Sequence, residues 1–110
     1  MLKLERKINL KIITICGSFK FEKEMKKISE KLELQGNCVL TPIYPTKKLD
    51  EYKEDEILML EKAHKEKIKI SDSIFVVNVS NYIGSSTKSE IEFAKKLGKE
   101  ILYYSDFKGE

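Results

Sequence analysis

The sequence predicts an α/β protein with a parallel sheet, because apolar strand-like runs alternate with amphipathic helical segments. Residues 8–16 read INLKIITIC and residues 74–79 read IFVVNV, and both runs are rich in β-branched and apolar side chains. The second run is almost continuously apolar, which is typical of a strand buried on both faces of a parallel sheet. The order β-α-β-α-β-α-β predicts a three-layer sandwich with a four- to five-stranded sheet and right-handed crossovers.

The first half of the chain contains two strands, a helix and a rigid loop. After the first strand, apolar residues recur at helical spacing over residues 19–34, and this spacing predicts a helix. A short strand follows over residues 37–41. Pro42 and Pro45 exclude regular structure around them, so residues 41–45 are expected to form a loop.

The segment from about residue 50 to residue 69 is predicted to be helical, with a break near Tyr52. Ile57, Leu60, His64 and Ile68 share one face, and Met59 and Ala63 lie roughly opposite. One apolar side would cover the sheet. The other is expected to meet a second subunit, so the sequence predicts a homodimer or higher homo-oligomer.

The last third of the chain completes the alternation. Residues 74–79 form the third strand and residues 80–86 a loop. A helix is predicted over residues 87–97 and ends at Gly98, because glycine readily adopts the left-handed conformation that follows many helices. The last strand is predicted over residues 101–104.

Length and charge exclude several classes of protein. The chain has 110 residues, which fits a single domain over residues 1–110. The net charge is +3, its two signs are interspersed, and Arg6 is the one arginine, which argues against a surface for polymeric nucleic acid. No apolar run approaches the ~20 residues of a membrane span. Residues 1–7 are too charged for a signal peptide. A cytoplasmic protein without membrane contact is expected.

The two cysteines, Cys16 and Cys38, lie in apolar strand-like runs and are interpreted as buried, reduced thiols. The chain has one histidine and no CxxC pair, so the residue spacing predicts no metal site. No cofactor is expected either.

Three loops should meet where the parallel strands end, which is where such sheets bind ligands. The first contains Gly17, Ser18 and Lys20 at the start of a helix, and backbone N–H groups there could hold an anion. The pattern is neither GxGxxG nor GxxxxGK[ST], so a standard dinucleotide or P-loop site is not supported. The alternative interpretation is an ordinary tight turn with a helix cap.

The third loop, over residues 78–87, leads into a helix and supports two interpretations. Thr87-x-x-Glu90 matches a capping box, in which Thr87 caps the helix and Glu90 bonds back to the backbone. The functional interpretation makes Glu90 a nucleophilic carboxylate at the sheet edge. Such a group suits the anomeric carbon of a ribose, which develops oxocarbenium character.

Residues 84–94 (GSSTKSEIEFA), then Gly98-Lys99 and an apolar strand, resemble the nucleoside 2-deoxyribosyltransferase superfamily, as does ICGS at residues 15–18. That superfamily includes deoxynucleoside 5′-monophosphate N-glycosidases and small bacterial members. The resemblance spans residues 11–104. It implies a flavodoxin-like, Rossmann-like parallel sheet and a nucleoside or nucleotide substrate. It also implies that Glu90 attacks C1′, forming a glycosyl-enzyme that water or a second base resolves.

The sequence departs from this superfamily in two ways. Members commonly carry an acidic residue eight positions before the Asp that leads into the third strand. Here that Asp is Asp72, read as structural, and the earlier position is His64, which could serve as acid, base, donor or packing residue. The active transferases also continue beyond the last strand, whereas this sequence stops at Glu110. Hydrolysis or binding is therefore expected in preference to base exchange.

Three hypotheses are compatible with these patterns: a nucleotide N-glycosidase, a non-catalytic nucleotide-binding module, and a structural protein whose Glu90 only caps a helix. The candidate catalytic residues are Glu90 and His64. By the resemblance, Ser18, Ser86 and Thr87 would contact sugar or phosphate, and Tyr44 would flank the base. The candidate substrate-binding residues, all on the three loops, are Gly17, Ser18, Lys20, Tyr44, Asn78, Asn81, Gly84, Ser86 and Thr87.

Overall fold

The structure, a computed structural model, describes residues 10–107. The predicted start of the first strand at Ile8 and the charged segment 1–7 lie outside the described residues. The main elements are β1 (Ile12–Cys16), α1 (Glu22–Leu34), β2 (Cys38–Leu40), α2 (Glu54–Ile70), β3 (Ser73–Val76), α3 (Ser85–Lys96) and β4 (Glu100–Tyr103). Short 3-10 turns lie at Phe19–Phe21, Leu49–Glu51, Val79–Asn81 and Tyr104–Asp106. The predicted break near Tyr52 is confirmed, since α2 begins two residues later.

The four described strands form one parallel sheet in the order β2-β1-β3-β4. The predicted α/β, flavodoxin-like architecture is therefore confirmed. The chain leaves β1 toward β2 on one side and then crosses to β3 on the other. This reversal opens a crevice beyond the carboxyl end of β1, where such sheets bind ligands.

Helices cover both faces of the sheet. Met25 of α1 packs against Ile15 and Phe75 on one face. Ile68 of α2 and Ile91 of α3 belong to the buried cluster on the other face. Burial of these apolar side chains contributes the main stabilisation of the three layers, roughly 25 cal/mol per Å² removed from water. At the amino ends of the strands, away from this crevice, Asp72 accepts a hydrogen bond from the backbone N–H of Ile12 at 2.7 Å. This contact agrees with the structural role predicted for Asp72.

Three local predictions were wrong. The third strand ends at Val76 and not at residue 79, because the chain turns into a 3-10 segment at Val79–Asn81. Cys38 is exposed, because β2 is an edge strand, whereas Cys16 is fully buried in the central strand β1. The third helix begins at Ser85 and not at Thr87. None of the helices formed by residues 10–107 is long and apolar enough to cross a bilayer.

Candidate active site

A cavity of about 360 Å³ lies at the carboxyl edge of the sheet. Its walls come from the loops after β1, β2 and β3, from one face of α2, and from the first turns of α3. The volume lies in the range of roughly 300–1,000 Å³ that is typical of small-molecule sites. Seven predicted site residues line it: Gly17, Ser18, His64, Gly84, Ser86, Thr87 and Glu90.

Gly17 is required by the packing of the first loop. A Cβ atom at this position would lie 3.1 Å from Sδ of Met25 and 3.2 Å from the carbonyl oxygen of Val77. The loop therefore sits directly on α1 and on the end of β3. Next to it, the hydroxyl of Ser18 accepts a long hydrogen bond of 3.3 Å from the N–H of Lys20. This loop thus contains the predicted helix cap and also forms part of the cavity wall.

The start of α3 excludes the capping-box interpretation of Glu90. Gly84, which has no side chain to form a cap, is the N-cap residue, so Thr87 is already the third residue of the helix. Thr87 is only 3% exposed and lines the cavity. Glu90 lies one turn further along, too far into the helix to bond back to the N-cap. Its carboxyl group is thus free of the predicted backbone role.

The carboxyl group of Glu90 belongs to a buried polar cluster with His64 and Cys16. Oε1 of Glu90 lies 3.8 Å from Nε2 of His64, and that nitrogen lies 3.5 Å from Sγ of Cys16. The contact between Sγ of Cys16 and Nε2 of His64 is a hydrogen bond, and Sγ also lies within 4.8 Å of a Glu90 carboxyl oxygen. Nδ1 of His64 is buried with no hydrogen-bond partner among the described residues. Three side chains from β1, α2 and α3 thus meet: His64 and Glu90 line the cavity, and Cys16 is fully buried next to them.

Burial dominates the electrostatics of this cluster. Desolvation raises the pKa of Glu90 to about 7, against smaller lowering effects from the neighbouring Cys16 thiol and the charge of Lys65, while the charge of Glu61 raises it further. Desolvation, assisted by the charge of Lys67, lowers the pKa of His64 to about 4. His64 is therefore neutral near pH 7. Its separation of 3.8 Å from Glu90 would permit an ion pair, but the imidazole lacks the charge that an ion pair needs.

Burial is also the main reason why the pKa of the Cys16 thiol lies well above its ordinary value, with the nearby Glu90 charge adding to the effect. The sulfur therefore keeps its proton at neutral pH and acts as a hydrogen-bond donor. The cluster holds three groups that are all close to neutral in moderately acidic solution. Glu90 is the member that ionises near pH 7.

Two predicted binding residues, Lys20 and Tyr44, lie beside the cavity and not in its wall. Nζ of Lys20 sits 3.4 Å from the centre of the Tyr82 ring, so a cation–π contact holds it at the rim. Tyr44 packs against the α1 side of the core and makes an edge contact with Phe19 at 6.3 Å. In both cases the aromatic partner, Tyr82 or Phe19, is the residue that lines the cavity.

The two asparagines predicted to contact the substrate do not line the cavity either. Asn78 is buried, and its amide bonds to the Ser105 hydroxyl at 3.1 Å and to the Ser105 N–H at 3.0 Å. This pair ties the end of β3 to the turn after β4. Asn81 has φ of 62°, a left-handed conformation that asparagine tolerates, and it shapes the loop after β3.

The sequence-based selection of site residues missed Cys16 and Tyr82. Cys16 ends β1 directly before Gly17, and the last residue of a central parallel strand is adjacent to the ligand edge by construction. This position at the end of the strand could have identified Cys16, but its apolar neighbours in the sequence indicated a packing residue instead. Tyr82 stands inside the third loop, where an exposed aromatic residue is suited to stacking.

Comparisons with known proteins support the fold. No protein-family model matches the sequence, and no curated protein matches it. Among solved structures, the chain is similar to the CMP N-glycosidase BcmB of Clostridium botulinum, with a TM-score of 0.54 and 21% identity over 84% of this chain and 70% of that one. The fold and cavity therefore define a flavodoxin-like α/β protein that shares the fold of a nucleotide N-glycosidase.

Proposed function

We propose that the protein cleaves the N-glycosidic bond of a (deoxy)nucleoside or its 5′-monophosphate through a covalent glycosyl-Glu90 intermediate. The observation that carries this proposal is the Glu90 carboxyl group, which lines the cavity and has no part in capping its helix. The activity named for the structural neighbour, a CMP N-glycosidase, supports the same reaction class.

Two displacements at C1′ account for the reaction. A carboxylate oxygen of Glu90 attacks C1′, and the bond from C1′ to the base nitrogen breaks with its electron pair on the base. The base takes up one proton as it leaves. Water then attacks C1′ and gives up one proton to solvent or to a nearby basic group. The bond from C1′ to the Glu90 oxygen breaks, which releases the sugar and restores the Glu90 carboxylate. One water is consumed for each base released.

His64 and Cys16 position the Glu90 carboxylate in this mechanism. His64 carries no charge near pH 7, so it acts as a neutral polar neighbour, 3.8 Å from the carboxylate, and not as a charged acid. The Cys16 thiol is hydrogen-bonded to Nε2 of His64 and lies within 4.8 Å of a carboxyl oxygen of Glu90. Together these contacts fix the rotamer of a side chain that must lie within bonding reach of C1′.

The beginning of α3 is suited to a 5′-phosphate. No acidic residue lies in its first turn and its N-cap residue, Gly84, has no side chain to form a cap, so its N–H groups and helix dipole suit an anion. The hydroxyls of Ser18 and Ser86 lie in the same wall. Phe19 and Tyr82 offer ring surfaces at the rim for the base. We therefore favour a monophosphate over a free nucleoside.

The direct test is release of free base from a panel of ribonucleoside and deoxyribonucleoside 5′-monophosphates, with the matching nucleosides alongside, followed by chromatography. Release from at least one monophosphate is expected. Saturable binding of a monophosphate without any base release would overturn the glycosidase and leave the binding module. A protein that neither binds nor cleaves members of the panel would overturn both.

The ionisation of Glu90 predicts the pH dependence of this activity. Because the attacking group must be a carboxylate, kcat/KM should rise about tenfold per pH unit below about pH 7 and level off above it. Glu61→Gln removes a charge that raises the Glu90 pKa, so the rise of kcat/KM with pH should occur at lower pH in this variant. Lys65→Gln removes a charge that lowers it and should move the rise the opposite way. Shifts of both variants in the same direction would contradict this assignment.

We also propose a homodimer that forms through the outer face of α2. Of the two residues predicted on the side opposite the sheet, Ala63 lines the cavity, whereas Met59 is 66% exposed and its neighbour Leu58 is 52% exposed. Two large apolar side chains exposed side by side are suited to an interface between subunits. Light scattering at micromolar concentration should give twice the monomer mass, and Met59→Lys should give the monomer. A wild-type monomer would contradict the proposal.

A further inference from the structure

Three potential metal ligands meet in the buried cluster at the cavity wall. One donor atom from each of Cys16, His64 and Glu90 lies within 4.8 Å of the other two. The separation from Sγ of Cys16 to Nε2 of His64 is 3.5 Å, and from that nitrogen to Oε1 of Glu90 it is 3.8 Å. The three residues belong to β1, α2 and α3, so only the fold assembles the group.

These separations are close to those of a tetrahedral zinc site. Zinc binds thiolate sulfur at ~2.3 Å, imidazole nitrogen at ~2.0–2.1 Å and carboxylate oxygen at ~2.0–2.2 Å. At tetrahedral angles the ligand atoms then lie about 3.4–3.6 Å from one another. The sulfur–nitrogen separation already has this value. The nitrogen–oxygen separation of 3.8 Å is a few tenths of an ångström longer.

The surroundings of the cluster also suit a divalent cation. A thiolate, a carboxylate and a neutral imidazole together balance two positive charges, which matters beside the apolar cluster that contains Cys16. His64 is only 6% exposed, and its Nδ1 has no hydrogen-bond partner among residues 10–107. Its other nitrogen, Nε2, has a weak hydrogen bond to the Cys16 sulfur at 3.5 Å and lies 3.8 Å from the Glu90 oxygen, so both other donor atoms already face the nitrogen that a metal would bind.

We propose that Cys16, His64 and Glu90 bind one zinc-class divalent cation, with a fourth position open to the cavity. His64 and Glu90 line that cavity, so a water molecule can reach the open position. Binding converts the Cys16 thiol to a thiolate and releases its proton to solvent. Because the cation occupies an oxygen of Glu90, it also withdraws the proposed nucleophile, and this second consequence rests on the proposed function.

Cobalt(II) is the probe that tests the site directly. The full chain, stripped with a chelator, is titrated with Co²⁺ alone, and the near-ultraviolet sulfur-to-cobalt charge-transfer band is followed. Saturation at one equivalent and loss of the band on adding Zn²⁺ are expected. Cys16→Ser should abolish the band and weaken zinc affinity at least ~100-fold, more than loss of an outer-shell partner usually costs. The matched control is Cys38→Ser, which replaces the exposed cysteine and should change neither result.

His64→Gln is the second variant, because it keeps the thiol and still tests the cluster if Cys16→Ser fails to fold by circular dichroism. It should weaken the affinity while leaving a band at high Co²⁺ concentration. A band that persists in Cys16→Ser, a band that disappears in Cys38→Ser, or titration without saturation at one equivalent would overturn the site.

The activity measurement separates this proposal from the proposed function. One equivalent of Zn²⁺ should suppress base release, and the chelator should restore it. Metal binding is measured without nucleotide, so a chain that binds one Co²⁺ but releases no base overturns only the glycosidase. A chain that releases base and binds no metal overturns only the metal site.

Discussion

Glu90→Gln is expected to lower the rate of base release by about 10³-fold or more, because an amide oxygen cannot replace the carboxylate as nucleophile. The substitution keeps the shape of the side chain, so monophosphate binding should persist. The measurement compares free base by chromatography with nucleotide binding by calorimetry. In the wild-type protein, rapid denaturation during turnover should also trap a glycosylated peptide that contains Glu90, detectable by mass spectrometry.

Glu92→Gln is the matched control for this experiment. It makes the same chemical change on the same helix, two residues further on, at an exposed position. Its rate should equal that of the wild-type protein. A Glu90→Gln protein that retains full activity would remove Glu90 from the mechanism, even if the cavity does bind nucleotides.

The same substitution should stabilise the protein in alkaline solution. Folding raises the pKa of Glu90 from 4.5 to about 7, so the unfolded state loses this proton first as the pH rises. The free energy of unfolding of the wild-type protein therefore falls between about pH 4.5 and pH 7, by about 3 kcal/mol for this group. A glutamine side chain does not titrate. Relative to the wild-type protein, Glu90→Gln should thus gain about 3 kcal/mol from pH 4 to pH 8.

Urea denaturation of both proteins at the two pH values, with chelator present, measures this difference. Subtraction of one protein from the other cancels the contribution of His64, which both contain. Glu92→Gln should show no comparable gain. An equal difference between Glu90→Gln and wild type at both pH values would mean that the carboxyl group is well solvated in the folded protein. In that case burial would not raise the pKa of Glu90.

The elements of the fold could be predicted because their signals are local. The continuous apolar run at residues 74–79 indicated a central strand, and β3 lies between β1 and β4. The apolar spacing of residues 19–34 indicated a helix with one buried side, and Met25 on that side is fully buried. The ends of elements were less certain. Thr87 resembles an N-cap in sequence, yet the helix begins two residues earlier, at Ser85. Ser85 and Ser86 therefore belong to its first turn.

Parts of the candidate site could not be predicted in this way. Asn78 stood in the right loop, but its amide bonds to Ser105, which lies 27 positions away. Tyr44 was expected beside the base, but it packs on the core and Phe19 takes the place at the cavity. In each case a contact between distant segments decided the orientation of the side chain.

By itself, the sequence determined the alternation of strands and helices and the edge of the sheet where a ligand would bind, because periodicity and strand polarity are properties of neighbouring residues. Only the tertiary structure decided that Cys16 and His64 surround Glu90, and that burial brings its pKa to about 7. Desolvation depends on what packs around a group from every side. For Glu90 those neighbours come from separate elements of the fold.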